Sequence, residues 1–375
     1  MGRRLAIKLA LIGVRYTARL VSQGFAAMPR CLFLVFALLA APAFAQPLAP
    51  DAGTAPLSPE MPAAQVLAQF HHDEINLLAL RGDAHSLLAA ALMAQGDADD
   101  PARPKVLQTP ALLARAQKAD DADALVWWVS AALECHGKGK PCPSDETLAQ
   151  LEKSDPANAA VWMWALRPAQ KPGSAATTRA ALTSAAGAAR YDDYFGTLTS
   201  ILYESAGILP IQENVLRASN QPGVSPAGFK LTYAAGIAVA LPLPYLATLA
   251  KTCRNSTSDA GLMQDCIAIM QKMADSGSLS ARNIGASQLM RLVPSGSAHD
   301  TAAAQVRTLA WRMQSMAAVA DRLANDSRVT GIYTQALRTS GREIDAVDVV
   351  LRSQGMALEP PADWQPPAAN ATPEP

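Results

Sequence analysis

The sequence predicts an all-α fold, an array of antiparallel helix hairpins, and three observations carry that expectation. Alanine dominates a chain of 375 residues in which aromatic side chains make up only 5%, and alanine is the strongest helix former and is depleted in strands. Apolar residues recur at helical spacing in segment after segment, and no run alternates apolar and polar residues as a half-buried strand would. The third signal is punctuation: Ser58-Pro59, Thr109-Pro110, Cys142-Pro143, Asp155-Pro156 and Ser225-Pro226. Proline suits the first turn of a helix, where its missing N–H has no partner to lose, and Ser, Thr or Asp ahead of it can cap the free amides.

At the N-terminus, residues 28–45 read Met-Pro-Arg, then an apolar block over 31–41, then Ala43-Phe44-Ala45 before Gln46. That is the pattern of a cleaved secretory signal. The apolar block is well short of the ~20 residues a membrane helix needs, so the expectation is a leader over 1–45, cut between Ala45 and Gln46. Residues 1–27 make that leader long, and Arg15 and Arg19 interrupt its first apolar run, which points to Met28 as the true start. Residues 46–57, rich in Pro and Ala, read as a flexible lead-in, 58–358 as the helical domain, and 359–375, with its run of prolines, as a disordered tail.

Within the domain, helices are expected at 63–70, 84–95, 110–118, 125–133, 146–153, 159–166, 175–189, 191–205, 259–275, 281–292, 301–325 and 344–352. Leu112, Leu113 and Ala116 fall on one stripe, as do Leu148 and Leu151, so their helices are half buried. By contrast 125–133 and 159–166 are apolar almost all round and need partners on several sides, as inner helices of an array do. The uncharged span 231–250 has the length of a membrane helix, but Pro242 and Pro244 break it, and two buried helices meeting at the prolines is the reading. A change of pattern near 217–226 offers a division into two halves.

Once the leader is removed, Cys135, Cys142, Cys253 and Cys266 remain, an even number that in an exported chain implies two disulfides. Three pairings are open. The near-neighbour pairing, Cys135 with Cys142 and Cys253 with Cys266, is favoured because each couple is close in sequence and Gly137, Gly139 and Pro141 make the first intervening segment a natural loop. Closing such short loops contributes ~2.5–3 kcal/mol each, a local clamp and not the foundation of a fold. A zinc site with His136 fits less well, because the gap between the first two cysteines exceeds the two to four residues of zinc knuckles.

Trp127-Trp128 after Asp123 and Trp162-Met163-Trp164 after Asp155 align at an offset of about 35 residues, with a looser third copy over 191–202. Asp155-Pro156-Ala157-Asn158-Ala159 followed by Trp162 resembles the junction between tetratricopeptide repeats, over roughly 121–205. The family's Gly and Tyr after the tryptophan are absent, and no such register continues from 231. The resemblance implies helix hairpins stacked into a superhelix that binds peptides or proteins on its concave face.

The whole chain carries 32 basic and 32 acidic residues, and losing the leader leaves 26 basic against 32 acidic, a formal charge of −6. A mildly acidic chain without basic clusters is a poor partner for nucleic acid or anionic lipid. Its densest set of ligand-type residues is His71-His72-Asp73-Glu74 with His85, but neighbours on a helix point about 100° apart, and a polar helix end and loop accounts for them. His136 and His299 stand alone near turns. Asp192-Asp193 and Asp97 with Asp99-Asp100 lack the spacing of a calcium loop and read as acids near helix starts. Glu74, Glu134, Glu204 and Glu213 are eligible as a hydrolase carboxylate without any feature that distinguishes them. No Gly-x-Ser-x-Gly, Ser-x-x-Lys, His-Glu-x-x-His or phosphate loop occurs.

These readings make no catalytic residue, cofactor or metal ligand an expectation. They favour a non-enzymatic periplasmic or extracellular scaffold that binds a protein or peptide partner and has no membrane span once the leader is gone. Two further readings stay open: an envelope or cell-wall hydrolase using a Glu in an all-α cleft, marked by a raised carboxyl pKa, and a purely structural secreted protein. Trp162 and Trp164 are the candidate partner-binding residues. Two residues apart on a helix, they face opposite ways. In an inner helix both are expected to be buried, whereas a groove would leave one exposed as an anchor. N-terminal sequencing of the exported form should read from Gln46; recovery with the leader attached and membrane-bound would make the chain an anchored one.

Overall fold

The computed structural model describes residues 61–95, 103–135, 142–167, 174–221, 223–256 and 258–366, so the leader, the Ala45–Gln46 junction, His136 and Asp97, Asp99 and Asp100 lie outside the described residues. The fold is all-α. Sixteen α-helices occur among the described residues. They are α1 (Ala63–Arg81), α2 (Ala84–Gln95), α3 (Thr109–Ala116), α4 (Ala124–Glu134), α5 (Asp145–Ser154), α6 (Ala159–Met163), α7 (Ser174–Gly187) and α8 (Phe195–Ser205), followed by α9 (Glu213–Ala218), α10 (Pro226–Ala240), α11 (Leu246–Arg254), α12 (Ala260–Ala274), α13 (Leu279–Leu292), α14 (Ser297–Asn325), α15 (Ser327–Ser340) and α16 (Glu343–Ser353).

The hub of the first half is α2, in which Ala84 and every residue from Ser86 to Ala94 are buried. Its alanines let α1, α3, α4 and α8 all approach it, which an all-round apolar helix of small residues permits. Helix α4 is likewise an inner element, burying Leu125, Val126, Trp128, Val129, Ala131 and Ala132. Two helix starts share one device: Asp123 accepts the Leu125 and Val126 amides ahead of α4, and Asn158 the Ala160 amide ahead of α6; ahead of α8 the cap is Tyr194, and Asp193, one residue earlier, accepts the Phe195 amide. These three acceptors, at 123, 158 and 193, are 35 positions apart each time. Just beyond them the Trp128 ring meets Trp164 at 5.6 Å and Tyr194 at 5.2 Å between centroids.

In the second half, α12 and α13 pair closely, the 29-residue α14 packs on α13, and α15 and α16 close the end. Leu309, Met316, Val319, Tyr333, Leu337, Val347 and Leu351 form its local core. Across the stretch near 217–226, α8 packs on α10 and α15, and α7 packs on α12. The uncharged span 231–250 falls into α10 and α11 with Pro242 and Pro244 between them, and no helix among the described residues is long and apolar enough to cross a membrane.

Disulfides join Cys135 to Cys142, tying the end of α4 to the start of α5, and Cys253 to Cys266, tying α11 to the middle of α12, with Cα atoms 5.0 and 5.6 Å apart. Helix starts differ from the proline reading in detail. Ser225 does cap α10, but after Cys142-Pro143 the cap is Ser144, and after Asp155-Pro156 it is Asn158, each a side chain that reaches an amide two or three residues on. Helix α1 continues through the histidines to Arg81, and α9 and α15 arise where no helix was expected. Residues 359–366, read as the start of a disordered tail, lie against α14: Arg307 donates to the carbonyls of Pro361, Ala362 and Trp364.

Trp164 is buried against Trp128 and Tyr245, whereas Trp162 is half buried at the core edge and donates its indole N–H to the Pro156 carbonyl at 2.9 Å. Trp164→Ala should therefore lower stability by ~3–5 kcal/mol and Trp162→Ala by ~1 kcal/mol, the size of a lost hydrogen bond, in urea unfolding; equal losses would show that the two rings share one environment.

Candidate functional site

Four segments far apart in sequence meet where the halves join. The junction 155–158 lies along 189–192: Asn158 and Arg190 form an isolated bridge, the Ala159 amide donates to the Arg190 carbonyl at 2.7 Å, and the Asn158 amide group donates to the Asp192 carbonyl at 2.8 Å. Asp155 collects the Tyr194 hydroxyl at 2.5 Å and the Arg190 guanidinium at 2.7 Å. Opposite stand the turns 275–278 and 340–343, where the Ile344 amide donates to the Gly277 carbonyl and Leu279 donates to the Glu343 carboxylate at 2.9 Å. The approach is close enough that the Gly341 carbonyl lies where a side chain on residue 196 would begin, and Gly341 itself has φ +67°, which glycine adopts freely.

Beside this join is a cavity of about 480 Å³ lined by residues 189–192, Thr197, one side of the end of α12, and both turns, a volume in the ordinary range of small-molecule sites. Its lining is of mixed charge, with Arg190, Lys272 and Arg342 against Asp192 and Asp275. Among the described residues Arg190 pairs with Asp155, Lys272 donates to the Ala186 carbonyl at 2.7 Å, and Arg342 pairs with Asp345 at 3.3 Å. Guanidinium carries five donors and ammonium three, so all three keep N–H groups for a ligand, while the two carboxylates offer acceptors to its cationic or N–H end.

Behind the cavity wall two acids are buried. Burial pushes the Asp193 carboxyl up to about 6, against the opposing pull of Ser278 and the Phe195 amide. Burial likewise pushes Glu343 up to about 7, only partly offset by the Leu279 amide, and the negative charge of Asp193 adds to the rise. Asp192, which lines the cavity, is also raised by burial.

The residues singled out in the sequence are distributed over the molecule. Glu74 is fully buried on α1, raised by desolvation, and touches His71 at 3.2 Å, whose ring stacks on Tyr233. His85 is not part of that group; it meets Asp123 at 3.0 Å. His299 is half buried and bonds the Val293 carbonyl. Glu134 accepts from Ser144 and Thr147 at the start of α5, Glu204 pairs with Arg338, and Glu213 is exposed at the start of α9. Neither tryptophan candidate lines the cavity. Among the described residues no three His, Cys, Asp or Glu side chains are grouped as metal ligands. Lys272, Asp275 and Arg342 went unmarked in the sequence, although Ser276-Gly277 and Ser340-Gly341 are turn dipeptides that flank them.

No family model matches this chain, no curated protein is significantly similar to it, and no solved structure matches it significantly.

The buried acids set a pH dependence. Unfolded carboxylates titrate near 4, so between about pH 4 and 7 the unfolded chain loses protons that folded Asp193 and Glu343 retain, and stability falls as pH rises through that window. Glu343→Gln, which keeps an acceptor for the Leu279 amide, should melt close to wild type at pH 4.5 and several degrees higher at pH 8. An equal difference at both pH values would show that Glu343 does not titrate in the folded state.

Proposed function

We propose that the mature chain is an exported helical scaffold that binds a protein or peptide partner in the cell envelope, and that the mixed-charge cavity at the join of the two halves is where the partner engages. The cavity is the observation that carries this reading. Three cations and two carboxylates from segments widely separated in sequence converge on it, a lining suited to a polar segment that bears both signs of charge, as peptide does. The 35-residue spacing of Asp123, Asn158 and Asp193 and the aromatic contacts that follow each of them are in keeping with stacked, tetratricopeptide-like hairpins over the first half. The two disulfides and the leader pattern support an oxidising compartment outside the cytoplasm.

An envelope hydrolase would be marked by a glutamate of raised pKa in a cleft. Among the described residues Glu74, Glu152 and Glu343 have raised pKa values, but none of them lines the cavity, and binding is therefore the favoured function.

A photo-crosslinking side chain placed at exposed Gln271 on the cavity rim should give a discrete adduct in cells that export the protein. A crosslinker at exposed Asp300, on α14 and not part of the cavity lining, should give none. The adduct should be lost when Lys272→Glu and Arg342→Glu are combined, with the melting temperature within a few degrees of the parent. No adduct at Gln271, or one indifferent to the charge reversals, would contradict the reading.

A further inference from the structure

The two disulfides sit in different surroundings. Cys253 and Cys266 are enclosed in the main core, at 2% and 0% exposure, whereas Cys135 and Cys142 are only half buried. The helices that the second pair joins are also tied without it: Glu134 accepts the Ser144 amide at 2.6 Å and the Thr147 hydroxyl at 2.5 Å. The end of α4 therefore stays fastened to the start of α5 when the Cys135–Cys142 bond opens. Opening Cys253–Cys266 requires the core around α11 and α12 to loosen first.

The two sulfurs of the half-buried pair are not equivalent. Cys135 is the C-cap of α4 and follows Glu134, and the negative end of a helix disfavours a thiolate. Cys142 lies two residues ahead of Ser144, the N-cap of α5, and the positive end favours one. The first acid of that turn, Asp145, is paired with Arg167 at 2.8 Å. A donor also stands at the second sulfur. The Tyr245 hydroxyl lies 3.2 Å from Cys142 Sγ and donates to the Cys142 carbonyl at 2.5 Å. Burial raises this tyrosine above its usual range, against the pull of Arg167, and so keeps the hydroxyl protonated. Rotation of that one O–H from carbonyl to sulfur supplies a hydrogen bond to a thiolate at Cys142.

We propose that Cys135–Cys142 is a thiol-exchange site, at which a small thiol becomes attached to Cys135 while Cys142 departs as a thiolate held by Tyr245. The thiolate of the small thiol attacks Cys135 Sγ. A new sulfur–sulfur bond forms there, the Cys135–Cys142 bond breaks, and its electron pair leaves on Cys142 Sγ. This direction is favoured because the sulfur that better carries negative charge is the faster leaving group. A second thiolate then attacks the small thiol's sulfur in the mixed disulfide and releases Cys135. Two thiols are oxidised to their disulfide, the cystine is reduced by two electrons, and the two thiol protons end on Cys135 and Cys142. Run in reverse by a small disulfide, the same steps close the pair again. None of Cys135, Cys142 and Tyr245 lines the cavity, so the exchange site is independent of partner binding there.

The test treats the oxidised mature chain with glutathione at pH 7.5 without denaturant, quenches with an alkylating reagent and maps the peptides by mass. Cys135–Cys142 should open at least about tenfold faster than Cys253–Cys266, with glutathione on Cys135 and the free thiol on Cys142 in the intermediate. Tyr245→Phe keeps the ring that meets Trp164 and removes only the hydroxyl; it should slow opening at least about threefold with the melting temperature within a few degrees of wild type. A second measurement uses single thiols. In Cys135→Ser the remaining Cys142 should reach half its maximal rate of iodoacetamide alkylation at a lower pH than Cys135 does in Cys142→Ser, and adding Tyr245→Phe should raise that pH for Cys142 alone. Glutathione on Cys142, opening of both disulfides at one rate, or a Tyr245→Phe change that moves neither the opening rate nor the pH profile would overturn the proposal.

Discussion

The structure depends on satisfying polar groups where the turns of its two halves meet. Helices that start inside a protein bring bare amides with them, and here α6, α8, α13 and α16 all begin within the same buried region. A buried amide or carbonyl without a partner costs about 1–3 kcal/mol. Asn158, Asp193 and Glu343 each accept at least one such amide, and Asp155 gathers Tyr194 and Arg190. Two of these acids leave water to do so, which is why their carboxyls hold protons more tightly than usual. The reward is geometric: carboxylates and amides fix the turns 155–158, 189–194, 275–278 and 340–343 relative to one another more narrowly than apolar packing would.

That rigidity gives the cavity its significance. Its carboxylates and two arginines are mounted on the turns that the buried network fixes and Lys272 on the last turn of α12, so they are presented at set positions instead of on free loops. The face of α14 works by a different principle. There two arginines and a tryptophan on one side of the helix supply donors to the carbonyls of residues 357–364, which belong to no helix or strand.

Much of the architecture was legible in the sequence. Helical spacing and alanine content identified the all-α class, the cysteine spacing gave both disulfide pairs, and Pro242 with Pro244 correctly divided the uncharged span. Where the reading failed, tertiary structure overrode local preference. Helix α15 contains Val329, Thr330, Ile332, Thr334 and Gly331, poor helix formers, and exists because Val329, Tyr333 and Leu337 form a buried stripe. Helix α1 carries its polar run to Arg81 because Glu74, Ile75 and Leu78 turn inward. The tail from 359 was read from composition alone, and composition cannot show that Arg307 waits opposite its carbonyls. For the site, Asp192 and Asp193 were recognised as acids near a helix start, but the turns that face them lie about 80 and 150 residues later in the chain, a separation no local pattern reports.

The central claim is that this polar join locks both halves into one cooperative unit. Native-state hydrogen exchange at the amides of Phe195, Leu279 and Ile344 tests it most directly, because these three donate into the join from α8, α13 and α16. All three should exchange only through global unfolding, with the same free energy and the same denaturant dependence. Exchange of Leu279 and Ile344 at a lower free energy than Phe195, through an opening that leaves the first half folded, would contradict the account.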